Sequence, residues 1–122
     1  MTAFTRATKR KAKLRCAIFG PSGSGKTYSG LRIAKGMGGK VAVIDTEHGS
    51  ACKYADRFTF DVADANQGGI DAVVGLLEQV NAGGYDVCII DSLSHSWQEL
   101  LEQVDQIAKA RYRGNTWSAW SE

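Results

Sequence analysis

The chain is expected to fold as an α/β domain, a mostly parallel sheet with helices on both faces, and three observations predict it. Two near-continuous apolar runs, Val41–Ile44 and Val87–Ile90, have the composition of strands buried on both sides, and each ends in an acid. Between them Ile70, Val73, Val74, Leu76, Leu77 and Val80 recur at helical spacing. Ahead of both, a glycine- and serine-rich turn, Gly20–Thr27, links an apolar run to a second helical pattern.

Composition narrows the setting. With 122 residues the chain is at most one domain, large enough to bury a core yet small for a parallel sheet covered on both faces. Fifteen basic against thirteen acidic side chains leave a formal charge of only +2, so net charge selects no partner. No run of about eighteen apolar residues occurs and none follows the basic start, which argues against a membrane span or a signal peptide. Cys16, Cys52 and Cys88 are widely spaced, and two of them fall in apolar strand patterns. That usage suits reduced, buried thiols in a cytoplasmic protein better than disulfides or zinc ligands.

In chain order, residues 1–13 form a basic arm. Residues 1–15 carry six of the fifteen basic side chains, Arg6, Lys9, Arg10, Lys11 and Lys13 in the arm and Arg15 just after it, and no acid. Such a run reads as a solvated arm, with nucleic-acid contact as the sharper alternative. Leu14–Phe19 reads as a buried strand. Tyr28 to Lys35, with apolar Leu31, Ile33 and Ala34, reads as a helix ended by Gly36, Gly38 and Gly39. Lys40–Asp45 is a strand. Arg57–Val62 alternates, with Phe58, Phe60 and Val62 on one face, as in a short edge strand. Asp64–Gly69 is a turn able to cap the helix Ile70–Val80, which Asn81–Gly84 stops. Tyr85–Ser92 is a strand, and Leu93–Ser96 joins it to a third helix. Trp97, Leu100, Leu101, Val104, Ile107, Ala108 and Arg111 mark one face of that helix. Arg111–Trp120 mixes arginines with aromatics, and packing against sheet or helix is the expected fate of its tryptophans, ahead of base stacking.

Two of these stretches carry chemistry. Gly20-Pro21-Ser22-Gly23-Ser24-Gly25-Lys26-Thr27 fits G-x-x-x-x-G-K-[ST], the phosphate-binding P-loop. Removing a polyphosphate from water requires many aligned donors. Glycines let the backbone wind tightly enough for successive N–H groups to cradle an anion, and the following helix, from Tyr28 on, aims its unpaired N–H groups at the same point. Lys26 brings a full positive charge to the β- and γ-phosphates, and the Thr27 hydroxyl is a ligand for Mg²⁺. The second stretch, Val87–Asp91, is four apolar residues ending in an acid, the Walker B pattern, which makes Asp91 a candidate to hold Mg²⁺ with Thr27. Asp45-Thr46-Glu47-His48-Gly49 closes the other strand, where polar groups of open α/β sheets face the ligand crevice. Glu47 is therefore a candidate general base for an attacking water, against the plainer reading of a loop carboxylate. His48 and His95 receive no chemistry.

The order GPSGSGKT, then VAVIDTEHGSA, then a helix, then YDVCIIDSLS resembles the ATP-binding core of the RecA-like recombinases, a P-loop NTPase fold. More narrowly it is similar to phage-borne RecA-like (AAA-type) ATP-binding proteins linked to single-strand annealing and recombination. The likeness runs from about residue 14 to residue 97, and the IDTEH segment separates it from P-loop proteins in general. It implies ATP and Mg²⁺ as ligands, Glu47 as the acid that activates water, subunits assembled with ATP at their interface, and a role on DNA, single-stranded DNA foremost. In that family the strand after the metal-side strand inserts between it and the P-loop strand and carries a γ-phosphate sensor. No such strand pattern precedes Glu122. The expectation is that residues 14–122 are the N-terminal part of a larger domain, truncated before the later core strands. The alternative is that Leu14–Phe19 pairs directly with Val87–Asp91.

Two other functions compete. A small-molecule kinase would need an arginine-rich substrate lid, and no such insertion separates the helices. A non-hydrolysing nucleic-acid-binding or assembly module would use nucleotide only to set conformation. For the arm, contact of all six basic residues with phosphates implies that nucleic-acid affinity falls about a thousandfold between about 50 and 200 mM salt. A flat salt titration by fluorescence anisotropy would remove that contact.

Overall fold

The apolar run at the centre of the chain becomes the centre of the sheet. In the computed structural model, which describes residues 2–8, 12–65 and 67–122, Val41–Asp45 (β1) is buried along its whole length. Asp61–Asp64 (β2) and Val87–Asp91 (β3) pair with it on either side, both parallel, in the order β2–β1–β3. The register runs from Ala42 opposite Asp61 to Asp45 opposite Asp64, and from Val41 opposite Val87 to Asp45 opposite Asp91. Parallel register thus sets two carboxylates, Asp45 and Asp91, side by side at the carboxyl ends of neighbouring strands.

Alternation along the strands divides the core between two faces. Val43 and Ile89 pack with Leu31 and Ala51 beneath the helix Lys26–Met37 (α1). Ile44, Cys88 and Ile90 pack on the other face with Ala65 and with Val73, Leu76 and Val80 of the helix Gly69–Ala82 (α2). The expected parallel sheet with helices on both faces is therefore present. Leu93–Arg111 (α3) and the short Thr116–Ala119 (α4) form a satellite cluster of Val104, Ala108 and Ala119. At the opposite end of the sheet Asp86 accepts from the Lys40 amide at 2.7 Å, and Gly39, at φ 86°, leaves room where a Cβ would collide with the Asp86 carboxylate.

Several elements depart from expectation. Leu14–Phe19 is not a strand: the segment is exposed throughout, with Phe19 at 92 %. It forms no ladder with β3, so the direct pairing considered above does not occur, although the Ile18 and Ile89 side chains both approach Gly30. An extended segment gains no hydrogen bonds without an adjacent ladder, and apolar composition alone does not supply one. Cys16 is consequently exposed, as is Cys52, and of the three free thiols only Cys88 is half-buried. The edge strand begins at Asp61, because Phe58 and Phe60 anchor in the core ahead of the ladder. Asp64 belongs to that strand, and α2 starts after Gly68 with no side-chain cap. The turn expected there includes Asn66, which lies outside the described residues, as do Lys9, Arg10 and Lys11 of the basic arm.

The helix α1 passes through Gly36 and stops at Gly38, with Ile33 facing solvent. α3 starts four residues earlier than expected, at Leu93. Trp117 is 86 % exposed instead of packed, while Trp120 stacks on Trp97 with ring centroids 5.8 Å apart.

Full burial of Ile44 sets a test of this core. Ile44→Ala is expected to cost about 2–5 kcal/mol by urea denaturation, whereas Ile33→Ala on the solvent side of α1 changes stability by no more than about 0.5 kcal/mol.

Candidate functional site

The glycine-rich loop leads directly into the first turn of α1. Gly25 is the residue before the helix, at φ 89°, a left-handed conformation that glycine adopts without Cβ strain. No side chain caps this helix end and its first turn contains no acid. The amides of Lys26, Thr27 and Tyr28, which have no carbonyl one turn earlier to pair with, are therefore left for an anion. The Lys26 ammonium folds back over the loop, donating to the carbonyls of Gly20 at 2.7 Å and Pro21 at 2.9 Å. Ser24 closes the loop by donating its amide to Pro21 at 3.2 Å, and Pro21, Ser22, Gly23 and Ser24 are all exposed. The Tyr28 ring is engaged elsewhere, edge-on to Tyr54 and Phe58 at 5.7 and 5.5 Å, which leaves its backbone amide as the group it could offer an anion.

The two carriers of candidate chemistry meet here. The Thr27 hydroxyl donates to Asp91 Oδ2 at 2.8 Å, joining residues 64 positions apart. Next to Asp91, Glu47 is held in a turn built by Asp45. One Asp45 oxygen accepts the Glu47 amide at 2.7 Å and the other accepts the Gly49 amide at 2.7 Å, an Asx-type turn made by a carboxylate only 3 % exposed. Glu47 in turn accepts a hydrogen bond from the Ser92 hydroxyl at 2.8 Å. Thr46 ties the strand ends together: its amide donates to the Asp91 carbonyl at 2.8 Å, and its hydroxyl donates to the Ser92 carbonyl at 2.7 Å while accepting the Ser92 amide at 2.8 Å.

The electrostatics follow from this crowding. Burial raises the Asp91 carboxyl above the ordinary carboxylate range; the Thr27 hydrogen bond opposes the rise, the Glu47 and Asp45 charges add to it, and Lys26 lowers it. A cation would reverse the balance. The hydroxyl of Thr27 and the carboxylate of Asp91 form a hard-oxygen pair suited to Mg²⁺, which binds through one or two protein oxygens together with phosphate oxygens and water. The structure thus bonds Thr27 to Asp91 and brings Glu47 and Lys26 close enough for their charges to act on the Asp91 carboxyl, while the Lys26 ammonium itself rests on the Gly20 and Pro21 carbonyls. Asp45, Thr46 and Ser92 were not singled out from the sequence. The spacing of Asp45 and Gly49 carried a turn signal, but nothing in sequence separated Thr46 or Ser92 from ordinary loop hydroxyls.

Comparison with known proteins gives the chain a family and two named relatives. The family described as AAA domain matches residues 12–122. The chain is 33 % identical over 87 residues to Protein RecA of Phytoplasma mali, covering 63 % of this chain and 25 % of that protein. It is 31 % identical over 84 residues to Protein RecA of Chlorobium limicola, covering 63 % and 24 %. The chain thus spans about a quarter of the length of the curated relatives it matches. No solved structure matches it. Among the described residues no helix is long and apolar enough to cross a membrane.

The raised Asp91 carboxyl sets the sign of a pH effect. Native protein holds this proton to higher pH than the unfolded chain, so the stability it contributes is present below the unfolded value and is lost as pH rises through the folded one. Without divalent cations, Asp91→Asn is expected to melt above wild type at about pH 7, with the gap closing as pH falls through the raised folded value and gone by about 4. Thermal circular dichroism reads this; an identical gap at both pH values would contradict it.

Proposed function

The chain belongs to the AAA domain family, and on that premise we propose that it is the nucleotide-binding part of a Mg²⁺-dependent RecA-like ATPase acting in phage DNA recombination or single-strand annealing. The observation that carries this reading is the Thr27–Asp91 hydrogen bond, which sets the start of the P-loop helix against a strand-end carboxylate with Glu47 beside it.

In this reading the amides of the loop and of the first helical turn, from Gly20 through Tyr28, take the phosphate oxygens. Lys26 exchanges the Gly20 and Pro21 carbonyls for the β- and γ-phosphates, a stronger partner for a full positive charge. Thr27 and Asp91 hold Mg²⁺, whose contribution is to neutralise charge on the phosphates. The Glu47 carboxylate takes a proton from water as the water oxygen bonds to the γ-phosphorus. The bond from that phosphorus to the β–γ bridging oxygen breaks, the electron pair leaves with ADP, and phosphate and one proton are released. Nucleotide binding is assigned to these residues and turnover to the whole protein.

The DNA role, the homo-oligomer with ATP at its interface and the cytoplasmic setting draw on other observations. The relatives are named Protein RecA, Arg6 and Lys13 of the basic arm and Arg15 just after it are exposed, and three free thiols suit a reducing compartment.

Calorimetry and single-turnover hydrolysis with Mg·ATP test the core of the reading. Lys26→Ala is expected to abolish binding, whereas Glu47→Gln retains affinity and loses about 10²–10⁴-fold in rate. Equal, near-zero turnover in wild type and both variants would assign the loop a conformational role instead, and no Lys26-dependent affinity would sink the proposal.

A further inference from the structure

We infer that Ser92 is a positioning residue that sets the Glu47 carboxylate for water activation, an inference that rests on the ATPase reading above and extends it to a residue outside both motifs.

Ser92 precedes the first residue of α3, a position where a serine hydroxyl ordinarily accepts a hydrogen bond from a helix amide. It does not do so. Its backbone is extended, at φ −126° and ψ 168°, and its side chain caps nothing. The hydroxyl instead donates to Glu47 Oε1 at 2.8 Å, across 45 residues of sequence. The helix end forgoes its usual cap and the glutamate gains an anchor.

The anchor is rigid because the backbone beneath it is fixed from two directions. The Ser92 amide and carbonyl are both bonded to the hydroxyl of Thr46, at 2.8 and 2.7 Å, and Thr46 is only 4 % exposed. Glu47 is fixed at its own backbone by Asp45. A glutamate on a loop has three rotatable side-chain bonds and would otherwise spread its carboxylate over several rotamers. Held at the amide by Asp45 and at Oε1 by Ser92, it presents Oε2 in one direction. A base held in a single geometry gains rate, since a displacement of about 1 Å can cost about a hundredfold.

The arrangement separates a positioning role from a structural one. The clamp to Thr46 uses the main chain of Ser92, not its side chain, so Ser92→Ala removes the contact to Glu47 and leaves the strand junction in place. Ser92→Thr keeps a hydroxyl and suits the extended backbone.

The test is single-turnover hydrolysis of Mg·ATP by the protein, with affinity measured in parallel by calorimetry. Ser92→Ala is expected to lower the rate by about ten- to a hundredfold, with nucleotide affinity and melting temperature unchanged. Ser92→Thr should recover most of the rate. In a Glu47→Gln background Ser92→Ala should cost nothing further, because two residues acting through one step are not additive. Unchanged turnover in Ser92→Ala, or an equal loss with and without Glu47, overturns the inference while leaving the ATPase reading standing. Binding without turnover in wild type overturns it as well. Absence of Mg·ATP binding in wild type would instead bring down the ATPase reading itself, and this inference with it.

Discussion

The hydroxyl of Thr46 joins the ends of two parallel strands, and the candidate site depends on that junction. Parallel neighbours diverge into separate crossovers once their ladder ends, so nothing in a sheet by itself keeps the residues just beyond it together. Here one buried hydroxyl both donates to and accepts from the backbone of Ser92, and the adjacent amide bonds Asp91. The ladder is in effect prolonged by one residue on side-chain atoms. Asp45, Glu47, Asp91 and Ser92 thereby share a rigid base, and the P-loop helix joins it through Thr27.

Such a base carries acids that resist being brought together. Among the described residues no buried side-chain oxygen or nitrogen lacks a hydrogen-bond partner, so the cost is not one of unmet polar groups. It is electrostatic: Asp91 lies half-buried next to two further carboxylates, and Lys26 and the Thr27 hydroxyl offset only part of the penalty. Stability withheld in this way is common where a ligand supplies the missing positive charge, since binding then releases it. Lys26 shows the same logic with opposite sign. Its ammonium rests on two backbone carbonyls, a weaker partner for a full positive charge than an anion would be.

Much of this was legible in the sequence, for reasons that differ by residue. Val41–Ile44 and Val87–Ile90 announced strands by their unbroken apolar composition; β1 is buried along its whole length as that composition implies, whereas β3 is only half-buried. The loop from Gly20 to Thr27 was recognisable because winding a backbone around an anion demands glycine at fixed places, as Gly25 illustrates. Leu14–Phe19 misled for the converse reason. Its apolar composition is that of a strand, yet strand formation needs a neighbour in register, a property of the assembled sheet. Phe58 and Phe60 likewise looked like the body of a strand and serve as core anchors ahead of it.

Local chemistry was therefore decided by the chain alone: which segments are apolar, where the phosphate loop lies, and which acids end the central strands. These follow from backbone sterics and hydropathy acting over a few residues. Tertiary structure decided which of those groups meet. Thr27 faces Asp91 across 64 positions, and Ser92 turns from its own helix to Glu47 across 45. Such pairings arise from parallel register and strand order, which no short window of sequence encodes.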